Sequence, residues 1–169
     1  MLTGSAIHMP EFLMHASGRI PNLLGMKYTD TKLHEFQECL ELDNRRFETV
    51  WGCDEMLLGA LAVGADAAIG STYNVMSSLY VQLIDAFQQG NVDQARCLQS
   101  RSIAAIRVMG KYQFQPALKA VLGMLGCNVG GCRLPLKNLT EEDAINLRTD
   151  LEAISFFDWA QSEACPTVC

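Results

Sequence analysis

Three short clusters hold the residues that can do chemistry: Lys27-Tyr28-Thr29, Gly52-Cys53-Asp54-Glu55 and Gly70-Ser71-Thr72. Each follows a short apolar run that reads as a β-strand and precedes a stretch with helical spacing. A lysine at the carboxyl end of a buried strand sits where a barrel or an open α/β sheet does its chemistry. Partial desolvation there favours the neutral amine, the form that attacks a carbonyl carbon. Neighbouring strand ends converge in a parallel sheet. Lys27 is therefore expected to face two carboxylates (Asp54, Glu55), two hydroxyls (Ser71, Thr72) and glycines whose backbone N–H groups a ligand can approach. Each residue alone has a plainer reading: a surface lysine, first-turn acids that complement a helix dipole, or N-caps of the next helix. The coincidence of three polar strand ends, one carrying a lysine, favours a site.

The elements that must position these residues follow from the hydrophobic spacing. Pro10 opens a short helix that ends near Gly18. Residues 20–28 are apolar on both parities, the pattern of a parallel strand covered on both faces. Leu33, Phe36 and Leu40 recur at helical intervals over residues 31–42. A second strand is expected over Phe47–Trp51, a helix over Met56–Val63 closed by Gly64, a third strand over Ala67–Ile69, and a helix over Val75–Gln89. This alternation with short connections implies right-handed crossovers on a parallel sheet. Helices alone follow: Val92–Met109, Ala117–Leu125, and Glu141–Phe157, the last capped by Thr140. The organisation expected is residues 1–90 as strand–helix units and residues 91–169 as a helical region of the same domain. Three strands are few for a doubly covered sheet, and a full eight-fold barrel takes about 250 residues, so the chain reads as the later part of something larger.

Composition narrows the function classes. The chain has 169 residues, 49% apolar and 19% charged, with a formal net charge of −6. No basic cluster exceeds Arg45-Arg46, which argues against nucleic acid and anionic membrane as partners. No apolar run reaches the roughly 18 residues of a membrane span. Residues 1–10 lack a charged n-region and a continuous apolar h-region, so a cytoplasmic location is expected. The seven cysteines (39, 53, 97, 127, 132, 165 and 169) are scattered without zinc-type spacing, and reduced thiols are the simplest account. His8, His15 and His34 adjoin no serine or cysteine nucleophile motif.

Gly25-Met26-Lys27, Gly52-Cys53-Asp54-Glu55 and Gly70-Ser71-Thr72-Tyr73-Asn74, in that order and spacing, resemble the N-acetylneuraminate lyase (sialic acid aldolase) family. This family lies within the pyruvate-dependent class I aldolases, which share a (β/α)8 barrel with dihydrodipicolinate synthases. Arg133-Leu134-Pro135-Leu136 is similar to the family's late loop before its terminal helix. The resemblance covers roughly residues 1–155 and corresponds to the later half of the barrel. It implies an α/β fold, the C-terminal part of a TIM barrel with about three parallel strands, followed by C-terminal helices.

The implied activity is aldol cleavage of N-acetylneuraminate to N-acetylmannosamine and pyruvate, with no metal and no cofactor. Lys27 is implied as the catalytic Schiff-base lysine, and Thr29, Gly52, Asp54, Glu55 and Ser71 as contacts to the polyhydroxyl chain of the substrate. The small-molecule partners implied are sialic acid and pyruvate, and the assembly a homotetramer. Two features of the family are not matched: its catalytic tyrosine and the hydroxyl-bearing loop that holds the substrate carboxylate. Tyr28, Tyr73, Tyr80 and Tyr112 correspond to neither. The rival expectation is therefore an N-terminally truncated, inactive form that acts as an assembly partner of full-length subunits. A third is a pyruvate aldolase of other aldehyde specificity.

Overall fold

In the computed structural model, which describes residues 7–160, the chain divides into two compact units, Met1–Gly70 and Ser71–Cys169. The break follows the last strand-like segment. The division at residue 90 drawn from the sequence marks a different change, from alternating elements to helices alone.

The first unit contains α1 (Met9–Ser17), β1 (Gly25–Tyr28), α2 (Leu33–Arg45), β2 (Glu48–Trp51), a 3₁₀ turn at Asp54–Met56 and α3 (Leu57–Ala62). β1 and β2 pair in parallel, with Lys27 opposite Val50 and Tyr28 opposite Trp51. The first strand is shorter than expected. The Ile20 amide donates to Ala16 O (2.8 Å) and the Leu23 amide to Ile20 O (3.1 Å), so this stretch turns instead of extending. Pro21, lacking an N–H, suits a turn better than a ladder.

The third expected strand, Ala67–Ile69, is reduced to a single parallel bridge between Ala68 and Trp51. Trp51 N donates to Ala67 O at 3.0 Å and Ile69 N to Trp51 O at 2.8 Å. Three residues with two alanines offer little side-chain surface from which to extend a ladder.

Strand alternation sorts the side chains of β1. Tyr28 packs with Trp51 of β2 and Phe36 of α2, the ring centroids 4.9–6.0 Å apart. Met26, of the same parity, joins a cluster built on Leu13, Cys39 and Phe47. The apolar stripe of α2 thus covers one face of the sheet, and Lys27 lies on the other. The regular part of α2 stops at Leu42 (ψ 133°), the end expected from its periodicity, and Asp43, Asn44 and Arg45 adopt left-handed backbone.

The second unit is α4 (Tyr73–Gln88), α5 (Val92–Met109), α6 (Phe114–Met124), α7 (Glu141–Ala153) and α8 (Phe156–Trp159). The Thr140 side chain accepts from the Asp143 amide at 3.0 Å, the expected cap. The last helix is not continuous as expected: Ser155 takes a left-handed conformation (φ 54°) and separates α7 from α8. Within this unit Tyr80 stacks on Tyr73, and its hydroxyl meets Thr72 Oγ1 at 2.6 Å and Ser102 Oγ at 2.8 Å. Cys97 is disulfide-bonded, against the expectation of reduced thiols throughout, whereas Cys39, Cys53, Cys127 and Cys132 are free. Among the described residues no helix is long and apolar enough to cross a membrane.

Candidate active site

β1 delivers Lys27 and, one residue beyond the strand, Thr29. β2 delivers Gly52, and the 3₁₀ turn that follows carries Asp54 and Glu55. Gly52 brings the first three together: a Cβ built on it would collide with Thr29 Oγ1 and lie 2.7 Å from Lys27 Cε and 2.8 Å from Tyr28 O. The space left by its missing side chain is where the lysine stem and the threonine hydroxyl sit.

The turn after β2 is fixed from both sides. Trp51 Nε1 donates to Cys53 O at 2.6 Å, and the Cys53 thiol donates to Asp30 O at 3.4 Å. Burial pushes the Cys53 thiol up to about 11, with Glu55, Asp54 and Asp30 adding to the shift and Lys27 opposing it. The thiol therefore stays protonated at neutral pH, surrounded by the charged groups of the site. Tyr28 is turned away from them. Its hydroxyl donates to Glu35 Oε1 at 2.9 Å, and burial, with that hydrogen bond, raises it far above the ordinary phenol range.

Asp54 is buried, at 7% exposure, while Glu55 is exposed. The two carboxylates expected to act alike therefore differ in setting. Asp54 is held in place and Glu55 projects into solvent. Both still occupy a first turn, so the helix-start role foreseen for them coexists with any ligand role.

Two expectations need revision. Lys27 is exposed, so the desolvation expected at a covered strand end is not supplied by the described residues. Among the described residues of the first unit, α2 packs on the face of β1 away from Lys27. Ser71 is the first residue of the second unit. Thr72, expected as an N-cap, makes no cap hydrogen bond and turns to Tyr80 instead.

Gly70 makes a close approach of its own. A Cβ built there would fall on the Asp54 carboxylate. A glycine between an apolar run and Ser-Thr carries no signal that separates this role from an ordinary turn. Among the described residues no group of three or more His, Cys, Asp or Glu side chains could hold a metal ion.

Parallel β/α units with polar groups gathered at the strand carboxyl ends, followed by C-terminal helices, define an α/β protein whose architecture fits part of a (β/α)8 barrel. Residues 1–154 match the dihydrodipicolinate synthetase family, and the chain belongs to that family. It is 34% identical over 172 residues to an N-acetylneuraminate lyase of Rattus norvegicus, covering 97% of this chain and 54% of the relative. Among solved structures it resembles Proteus mirabilis N-acetylneuraminate lyase (TM-score 0.87, 37% identity) and the sialic acid aldolase of Aliivibrio salmonicida (TM-score 0.86, 37% identity). In both cases 92% of this chain and 52% of the other is covered. The chain spans about half the length of the curated relatives it matches.

Proposed function

We propose that this chain carries the Schiff-base half of an N-acetylneuraminate lyase site, with Lys27 as the nucleophile. The supporting observation is the common position of Lys27, Thr29 and Gly52 at adjacent parallel strand ends, with Asp54 on the following turn. The names of the relatives favour sialic acid as substrate and aldol cleavage as reaction.

In this reading the neutral amine of Lys27 attacks the keto carbon of the open-chain sugar, and loss of water leaves an imine. Protonated, the imine draws the electron pair of the bond between its α and β carbons as that bond breaks. N-acetylmannosamine departs as the aldehyde, and the hydroxyl proton of the cleaved carbon goes to a base not found among the matched positions. The enamine left on Lys27 takes up a proton, and water hydrolyses it to pyruvate and free lysine. Thr29, Gly52, Asp54, Glu55 and Ser71 hold the sugar. Carboxylates suit the task because each oxygen accepts hydrogen bonds from neighbouring hydroxyls. We further read the protein as cytoplasmic and homo-oligomeric, a tetramer by family, with no cofactor.

Borohydride reduction in the presence of pyruvate, followed by peptide mass spectrometry, tests the nucleophile. The expected result is a reduced pyruvate adduct on Lys27, absent from Lys27→Arg. A demonstrably folded chain with no adduct would overturn the catalytic reading.

The exposure of Lys27 favours one second reading, an inactive partner of full-length subunits. Its mark is the absence of an adduct combined with stable co-purification alongside a full-length lyase subunit.

A further inference from the structure

Asp54 is the one buried carboxylate among the polar strand-end residues, and its surroundings on the Gly70 side are unusually specific. A Cβ built on Gly70 would coincide with Asp54 Oδ1, crowd its Cγ, and lie 2.5 Å from Oδ2. All three nearest atoms belong to that one carboxyl group. The neighbouring backbone cannot easily yield, because Trp51 N–Ala67 O and Ile69 N–Trp51 O hydrogen bonds tie the 67–69 segment to the end of β2. The Asp54 turn is tied in the same way, through the Trp51 indole to Cys53 O and the Cys53 thiol to Asp30 O. Two clamped segments meet, and the missing side chain of Gly70 is the space between them.

We propose that Gly70 is a positioning residue: its absent side chain seats the Asp54 carboxylate and sets the direction from which that group meets the sugar. Gly52 does the same for the Lys27 stem one strand earlier, so each of two strand ends uses a glycine to hold the reacting or binding group of its neighbour. The substrate part of this proposal rests on Asp54 being a sugar ligand. The seating itself does not. Any residue larger than glycine at position 70 would push the carboxylate out of its place, lengthening its hydrogen bonds to a polyhydroxyl ligand while leaving Lys27 where it is.

A thermal double-mutant cycle tests the seat without reference to activity. Gly70→Ala is expected to lower the melting temperature by about 5 °C, and by about 1 °C or less in an Asp54→Ala background, where the obstructing atoms are gone. An equal loss in both backgrounds would overturn the seat. Borohydride trapping tests the substrate part. For Gly70→Ala, half-maximal trapping with N-acetylneuraminate should need about 10- to 100-fold more ligand, the loss expected for weakened hydrogen bonds to a charged group. Trapping with pyruvate, which has no polyhydroxyl chain, should stay within about two-fold. Equal loss with both ligands would make Gly70 merely structural and overturn the positioning role. A wild-type chain that traps neither ligand would overturn the proposed function, and the melting cycle would then still decide the seat.

Discussion

At the scale of single residues, the candidate site is a set of close approaches made possible by glycine. Lys27 and Asp54 are held by what Gly52 and Gly70 lack, and Cys53 lies half-buried near the charges they carry. That burial has a measurable consequence at alkaline pH. The Cys53 thiol rises from an ordinary 9.0 to about 11, and Cys39, buried and near Glu35 and Glu38, to about 12. Between those values the unfolded chain has lost thiol protons that the folded chain still holds, so stability falls as pH rises. The melting temperature is expected to be level with respect to these groups below pH 9 and to decline above it. The decline should be smaller in Cys39→Ala. An unchanged alkaline slope in that variant would show that the thiol is not buried in solution.

At the scale of elements, helix ends follow local rules and can be tested one at a time. Thr140 caps α7 through the Asp143 amide, so Thr140→Ala should cost about 1 kcal/mol, or about 2–4 °C in melting temperature. Ser155 lies in the left-handed region, where a side chain costs roughly 1–2 kcal/mol and glycine does not. Ser155→Gly should therefore raise the melting temperature by about 1–2 °C, after allowing for the added freedom of the unfolded chain. A differential scan of the two variants against the parent checks both signs. Sequence periodicity locates α5 over Val92–Met109 and the end of the regular part of α2, because burial of one helix face imposes its spacing over many residues. It overextended the first strand and made three residues of a bridge into a strand. Short apolar runs look alike whether they pair, turn or merely fill space.

At the scale of the whole molecule, β1 pairs only with β2 among the described residues, and Leu24 beside it is 72% exposed. An open edge next to an exposed leucine is a template for association. Size-exclusion chromatography with light scattering is expected to show a mass that rises with concentration. Leu24→Lys should shift the onset to higher concentration. A compact monomer with a single sharp melt would contradict the expectation. The boundary between the two compact units falls at Gly70/Ser71, within the third polar run of the sequence.

The sequence alone determined the family and the order of its chemical groups. A strand-end lysine, a Gly-x-Asp-Glu turn and a Gly-Ser-Thr run each need particular residue types at particular spacings, and those survive in one dimension. The α/β alternation was readable for the same reason, since strand and helix periods are local. Only the tertiary structure decided which face of β1 is covered. Coverage depends on what packs there, and α2 covers the side away from Lys27. It alone separated buried Asp54 from exposed Glu55, adjacent residues of equal charge, because burial is set by the segment opposite and not by the neighbour in sequence. It alone also gave Gly70 a role, since the space a glycine leaves becomes a seat only when another strand end comes to occupy it.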